Sequence, residues 1–209
     1  MGHLLEQRGF NRHYRTGQTA RSGIDPRARP SFRDVQLDRD AGTITLRRPV
    51  LLDLGAVAKG LAADLAAEQL AAHVPGVAVD AGGDFLVRGS PMAGRPWRVG
   101  IRPPRRPERL LTVVKVPAGA VFTCGGYARH GHLLDARSGR SADSIISATV
   151  VAPTAMAADA LSTAALLLRP DGGPRLLEAS GVEGLLVTAD LELIATGGFG
   201  ALVADAARS

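Results

Sequence analysis

The chain has 209 residues, of which 45% are apolar and 22% charged, a balance that indicates a globular protein with a real core and excludes a disordered chain. Its formal net charge of +5 comes from arginine, since Lys59 and Lys115 are the only lysines. No apolar run approaches the ~18 residues that would span a bilayer, and the single cysteine, Cys124, excludes an internal disulfide.

The arginines cluster in the first fifty residues and again between Arg102 and Arg109. Such segments are found in nucleic-acid-binding proteins, but aromatic residues make up only 4% of the chain, too few for a base-stacking surface. We therefore expect no nucleic-acid partner, and we interpret the proline-rich basic run as a solvated loop. Met1–Arg8 lacks the apolar stretch of a secretory signal, which favours a cytoplasmic location for the chain as written.

Residues 1–31 are polar and rich in Gly and Pro, and we interpret them as an irregular lead-in with a short helix over His3–Arg8. In the remainder, 32–209, strands and helices are mixed without strict βαβ alternation, which predicts an α+β fold with a mixed sheet and packed helices. Periodicity and turn residues predict a first hairpin of Val35–Leu37 and Thr43–Leu46 and a closing hairpin of Gly184–Thr188 and Leu191–Ala195. Helices are predicted over Ala56–His73, 155–168 and Pro174–Ser180. Further strands are predicted at Val77–Val79, Phe85–Arg88, Trp97–Ile101, Leu111–Val116, Ala120–Thr123 and Ile145–Val151.

The predicted helix over 155–168 has Thr154 as its expected N-cap, and it carries an unusual polar face. Asp159, Ser162 and Thr163 are its only polar side chains, and at positions i, i+3 and i+4 they share one side of a helix. A carboxylate on an otherwise apolar helix is expected to be buried and then needs a partner, a proton or a cation. Oxygen ligands of this kind suit Mg²⁺. From composition alone, a pairing of Asp159 with an arginine is the simpler alternative.

Asp53 ends a short apolar strand and leads through Gly55 into the first long helix. A strand-to-helix turn of this kind presents backbone N–H groups that suit a phosphate. The alternative is that Asp53 caps the helix and that Lys59 is an ordinary surface charge.

Four blocks of this sequence, in this order and with similar spacings, resemble the FAD:protein FMN transferase (ApbE) family. They are Leu52–Gly60, Val79–Asp84, His132–Gly139 and Ala158–Thr163. The resemblance extends from about Phe32 to the C-terminus. It implies a T-fold-like α+β domain with two lobes around a nucleotide cleft.

The resemblance also implies an activity, the Mg²⁺-dependent transfer of FMN from FAD to a threonine or serine hydroxyl of an acceptor protein, with release of AMP. Hydrolysis of the FAD pyrophosphate to FMN and AMP is the neighbouring alternative. Matched position by position, the resemblance implies nucleotide contacts, a general base and magnesium ligands. These are Asp53, Lys59 and Leu133 for the flavin nucleotide, His132 for the base, and the Ala56 carbonyl, Asp159, Ser162 and Thr163 for Mg²⁺, with Ser162 either a ligand or a supporting contact.

Simpler interpretations exist for several of these positions. His132 is alternatively a hydrogen-bonded turn residue beside Asp135, which would pair with a nearby arginine. Cys124 has no histidine or carboxylate partner in local register, which favours a buried apolar thiol over a nucleophile. The turn from Asp80 to Asp84 is expected to line the cleft, with no chemistry assigned to it.

Members of the family are usually longer at the N-terminus by roughly a hundred residues, so 32–209 is expected to be an N-terminally truncated FMN transferase-like domain. This leaves two hypotheses: a working transferase whose pocket is completed by another chain or a homodimer mate, and a non-catalytic remnant that binds Mg²⁺ or a flavin nucleotide. A longer N-terminus could also carry the export signal or membrane anchor that family relatives often have.

Overall fold

The structure is a computed structural model that describes residues 2–13, 15–25, 31–92, 94–106, 108–125, 133–135 and 138–204. By its internal contacts the chain divides into two compact units. The first comprises Met1–Asp53 together with Leu134–Arg140, and the second comprises Leu54–Leu133 together with Ser141–Ser209. The boundary expected at residue 32 stays a prediction.

The first unit contains a short helix and a hairpin. Helix α1 is Gly2–Gln7, and a 3₁₀ turn at Phe32–Asp34 leads into the antiparallel strands β1, Val35–Asp38, and β2, Thr43–Leu46. Ser31 begins the 3₁₀ turn, because its hydroxyl accepts a hydrogen bond from the Arg33 N–H while the Asp34 carboxylate accepts one from the Ser31 N–H. The short helix and the first hairpin predicted from the sequence are both confirmed.

The second unit is built on a six-stranded sheet with the order β10-β9-β8-β7-β4-β3. A separate hairpin, β5 with β6, packs beside it. The strands are β3 Gly76–Asp80, β4 Phe85–Gly89, β5 Trp97–Ile101, β6 Thr112–Val116, β7 Gly119–Gly125, β8 Ile145–Ala152, β9 Glu183–Thr188 and β10 Leu193–Ala195.

The described residues of the second unit also form four helices: α2 Ala58–Ala71, α3 Ala155–Leu167, α4 Arg169–Ala179 and α5 Phe199–Leu202. The α+β class is confirmed. The sheet is antiparallel at every described pairing rather than mixed. For the pair β8 and β9, the reason is that two successive helices, α3 and α4, join the strands, so the chain re-enters the sheet in the opposite direction, whereas a single crossover helix would give a parallel pair.

Adjacent residues on the central strands point to opposite faces of the sheet, and each face has its own core. Leu86, Phe122 and Leu186 belong to the cluster that packs under α2, α3 and α4. Their neighbours Val87, Val121 and Leu185 belong to a second cluster with β5, β6 and α5. None of the described helices combines the length and the apolar character needed to cross a lipid bilayer.

The structure corrects several element boundaries. Helix α2 begins at Ala58 rather than Ala56, because residues 55–57 form a turn. Helix α4 is longer than Pro174–Ser180 and carries Pro174 inside it. Strand β10 excludes Leu191, whose φ of 69° belongs to the preceding turn. The four-residue helix α5 was not expected from the sequence.

Candidate functional site

The N-terminus of α2 receives its hydrogen-bond acceptor from another helix. Its N-cap residue is Val57, whose side chain makes no capping hydrogen bond. Instead the Gly60 N–H donates to Oδ2 of Asp159 on α3, at 3.0 Å. Gly60 allows this approach, because a Cβ atom there would collide with the Ala155 carbonyl of α3.

Asp159 is buried, as its apolar surroundings predicted, with 6% of the residue exposed. Its second oxygen, Oδ1, lies 3.6 Å from the ammonium of Lys59. That distance makes an ion pair, but it is too long for a hydrogen bond. The nearest described cation to Asp159 is therefore a lysine from α2 and not one of the many arginines.

Lys59 is not an ordinary surface charge, although 41% of its side chain is exposed. Its ammonium donates a hydrogen bond to Oδ2 of Asp84, forms the ion pair with Asp159, and lies 4.4 Å from the centre of the Phe122 ring. A lysine with two carboxylate partners and an aromatic face is held in place. The described contacts thus hold one cation between two carboxylates from different elements.

Asp84, to which the sequence assigned no chemistry, is part of this cluster. Its Oδ1 accepts a hydrogen bond from the Thr123 N–H at 2.6 Å, and its Oδ2 accepts the one from Lys59. Burial raises the pKa of this carboxyl, while the bonds from Lys59 and Thr123 act in the opposite direction. In the sequence, the feature that could have indicated this role is a second aspartate directly after the Gly82-Gly83 turn. Only the pairing of β4 with β7, however, brings Asp84 to Thr123.

The two hydroxyls predicted beside Asp159 have different partners. Ser162 is buried, and its hydroxyl donates to the Asp159 carbonyl at 3.0 Å, one turn earlier on the same helix. The Thr163 hydroxyl donates to Sγ of Cys124 at 3.4 Å. Burial raises the pKa of the Cys124 thiol, and the negative charges of Asp159 and Asp84 add to the rise while Thr163 opposes it. The thiol therefore remains protonated at neutral pH, as expected of a residue that is not a nucleophile.

The oxygen donors predicted as magnesium ligands are of the chemical kind that a hard divalent cation takes. The carbonyl of Ala56 precedes the helix, and no hydrogen bond to it occurs among the described residues, since the Gly60 N–H is used by Asp159. Oδ1 of Asp159 likewise has an ion pair but accepts no hydrogen bond from a described residue. The described residues contain no group of three or more His, Cys, Asp or Glu side chains placed to hold a metal. A cation here would therefore depend on carbonyl and hydroxyl oxygens in addition to Asp159.

The remaining predicted site residues are not brought into this cluster by the described contacts. Asp53 belongs to the first compact unit. Leu133 is buried in the core beneath the helices, and its carbonyl accepts a hydrogen bond from the Ala142 N–H. His132 lies outside the described residues. The Asp135 carboxylate accepts a hydrogen bond from the Ser138 hydroxyl at 3.0 Å.

Several curated proteins are similar to this chain, and each is named FAD:protein FMN transferase. The protein from Rhodobacter capsulatus is 35% identical over 157 residues, which are 70% of this chain and 30% of that protein. The protein from Treponema pallidum is 34% identical over 70% of this chain and 46% of its own length. The protein from Vibrio cholerae is 27% identical over 90% of this chain and 60% of its own length. The chain thus spans between 30% and 60% of the length of these three relatives.

Solved structures with the same architecture come from the same group. The crystal structure of the ApbE protein of Thermotoga maritima matches with a TM-score of 0.82 and 27% identity, over 98% of this chain and 71% of that one. The flavin transferase ApbE of Vibrio cholerae matches with a TM-score of 0.79 and 25% identity, over 96% of this chain and 69% of that one. The profile of the ApbE family matches residues 1–186, which includes the segment interpreted as a lead-in. The chain therefore belongs to the ApbE family.

Proposed function

We propose that this chain transfers FMN from FAD to a threonine or serine hydroxyl of an acceptor protein, that it releases AMP, and that the reaction requires Mg²⁺. The observation that carries the proposal is the buried carboxylate of Asp159, one oxygen of which accepts no hydrogen bond from the described residues, in a chain whose relatives are named FAD:protein FMN transferase. A buried carboxylate that is only partly paired is costly to a fold, which favours a functional role over a structural one.

In the proposed reaction the acceptor hydroxyl oxygen attacks the phosphorus of the FMN half of FAD. The bond from that phosphorus to the bridging oxygen breaks, and the bridging oxygen leaves with AMP. The hydroxyl proton passes to a base, for which we propose His132, because a histidine accepts a proton near neutral pH. If water replaced the acceptor hydroxyl, the products would be FMN and AMP, which is the hydrolytic alternative.

For Mg²⁺ we propose the Asp159 carboxylate, the Ala56 carbonyl and the Thr163 hydroxyl as ligands, with Ser162 as a further ligand or a supporting contact. Bound there, Mg²⁺ would neutralise pyrophosphate charge and stabilise the charge that develops on the leaving phosphate. The chain's own part is to hold Asp159 in place through the Gly60 N–H, and to keep the carboxylate out of bulk water.

For the nucleotide we propose Asp53, Lys59 and Leu133 as contacts. The partly exposed ammonium of Lys59 supports this, because a cation held beside the site attracts an anionic dinucleotide. A main-chain contact suits Leu133 better than a side-chain contact, because its side chain is already in the core.

The test is release of AMP from FAD, followed by chromatography, with flavin on the acceptor measured by its fluorescence in a denaturing gel. The full chain would be incubated with FAD, Mg²⁺ and an acceptor domain that carries the target threonine. The matched variants are Asp159→Asn and Asp64→Asn, since each neutralises one aspartate on neighbouring helices.

Flavin on the acceptor, lost in Asp159→Asn and kept in Asp64→Asn, would support the transferase. AMP released with no flavin on the acceptor would indicate hydrolysis instead. No AMP release with any acceptor tried would favour a non-catalytic remnant. A His132→Ala variant with the full transfer rate would refute the role of His132 as the base.

A further inference from the structure

Lys59 is shared unequally between its two carboxylate partners. The ammonium donates a hydrogen bond to Asp84 but stands 3.6 Å from Oδ1 of Asp159. The charge of the lysine is thus held mainly at Asp84, while Asp159 is partly neutralised and keeps an oxygen to which no described residue donates a hydrogen bond.

Asp84 is itself fixed in position. Its other oxygen accepts the Thr123 N–H of β7, so the carboxylate is anchored to the sheet rather than to either helix. The Phe122 ring of the same strand lies 4.4 Å from the Lys59 ammonium. The ammonium therefore has two supports, a carboxylate and an aromatic face, that do not depend on Asp159.

A divalent cation at Asp159 would be repelled by an ammonium at this range, because like charges within a few ångströms of each other repel. The cation could bind only if the charge of the lysine were balanced elsewhere. Asp84 supplies that balance from a fixed position on the sheet.

We propose that Lys59 is the resident counter-ion of Asp159 when no metal is bound, and that Asp84 is a positioning residue that keeps Lys59 away from Asp159 when a divalent cation binds there. This rests on the proposed function, because it takes Asp159 as the ligand. It adds a role for Asp84, which is not itself a ligand.

The test is a titration of the full chain with Mg²⁺ by isothermal calorimetry, without FAD. In Asp84→Asn the lysine is left with Asp159 alone and competes with the metal, so we expect the Kd for Mg²⁺ to rise by about tenfold or more. In Lys59→Met the competitor is gone, and we expect the Kd to fall by about threefold or more. Asp64→Asn, which removes a carboxylate from the same helix as Lys59, is the control and should leave the Kd unchanged.

The double variant Lys59→Met/Asp84→Asn separates positioning from a merely structural role. If Asp84 acts through Lys59, adding Asp84→Asn to the Lys59→Met variant raises the Kd for Mg²⁺ by about threefold or less. An equal loss in both backgrounds would overturn the proposal, because Asp84 would then act through the fold or as a distant charge. If Lys59→Met alone fails to fold, the double variant must still bind Mg²⁺ about tenfold more tightly than Asp84→Asn, and equal affinities would overturn the proposal.

Failure of the proposed function gives a different result. If neither the wild-type chain nor a folded variant without Lys59 binds Mg²⁺, the metal part of the proposed function is wrong and this inference with it. If Mg²⁺ binds and its affinity is the same in all variants, this inference alone is wrong.

Discussion

The N-termini of α2 and α3 are capped reciprocally, each by an aspartate from the other helix, and the two caps differ in one respect. Asp64 of α2 accepts the Ala155 N–H at one carboxylate oxygen and the Met156 N–H at the other, both at 2.9 Å. In the described part of the chain, Asp159 of α3 accepts only the Gly60 N–H, and its other oxygen lies 3.6 Å from the Lys59 ammonium.

The difference distinguishes a structural carboxylate from a candidate functional one. Asp64 uses both oxygens on orphan N–H groups at a helix start, which is what a stabilising cap requires. Asp159 is more deeply buried, and yet one of its oxygens has no hydrogen bond within the described ranges, which is a poor arrangement for stability alone. The packing of α2 against α3 therefore holds two kinds of aspartate. Asp64 is a complete helix cap, and Asp159 is a candidate metal ligand.

The largest expected effect is the loss of catalytic rate when Asp159 loses its charge. We expect Asp159→Asn to lower the rate of AMP release from FAD by about 100-fold or more, because the amide can still accept the Gly60 N–H but carries no charge for a cation. The measurement is the initial rate at saturating Mg²⁺, with circular dichroism as the check on folding. A folded Asp159→Asn variant with a rate within about threefold of wild type would remove the distinction between the two aspartates.

The next largest effect concerns the approach of the two helices. We expect Gly60→Ala to lower the free energy of unfolding by about 1–3 kcal/mol, because the added methyl meets the Ala155 carbonyl and forces α2 away from α3. The measurement is denaturant unfolding followed by circular dichroism. Gly200→Ala is the control, since a Cβ there meets no atom within 4 Å and alanine favours the helix. Equal stability of the two variants would show that the close approach is not required.

A smaller effect on stability is expected at Asp64, the helix cap whose two carboxylate oxygens each accept a hydrogen bond. Replacing Asp64 with Ala removes the acceptors of two N–H groups, and we expect a loss of about 0.5–2 kcal/mol in the free energy of unfolding. The rate of AMP release per folded molecule should be unchanged, which sharpens the contrast with Asp159. A variant with wild-type stability but a much lower rate would assign Asp64 to the catalytic group instead.

The smallest effect is expected at the N-cap of α3. The Thr154 hydroxyl accepts a hydrogen bond from the Ala157 N–H at 3.2 Å. Thr154→Ala should therefore lower the free energy of unfolding by about 1 kcal/mol, while Thr154→Ser keeps the acceptor and should lower it by less. Thermal unfolding of the two variants beside wild type measures both. If serine were as destabilising as alanine, the hydroxyl would not be the source of the stability.

Much of this arrangement was predictable from local patterns. The apolar run around Asp159 predicted a buried carboxylate, and Thr154 was recognised as an N-cap from its place before that run. The strands with alternating apolar residues were also predicted closely. Besides helix α5 and the strand directions of the sheet, the wrong predictions concern the ends of elements, such as the start of α2 and the exclusion of Leu191 from β10, because turns there depend on backbone angles that sequence specifies weakly.

The partners of the charged residues could not be predicted in the same way. The sequence predicts Lys59 as either a surface charge or a nucleotide contact, and it predicts that the turn ending at Asp84 lines the cleft without a chemical role. Their contact joins residues 25 positions apart, and the contact of Gly60 with Asp159 joins residues 99 positions apart.

The sequence by itself thus determined the family, the fold class and the burial of Asp159, because these depend on motifs and on periodicities within a few residues. Only the tertiary structure decided that Asp159 meets α2, that Lys59 lies between two carboxylates, and that Asp64 and Asp159 have unequal partners. These contacts are set by the packing of α2 against α3 and by the register of β4 with β7, which are non-local and have no signature within any one segment.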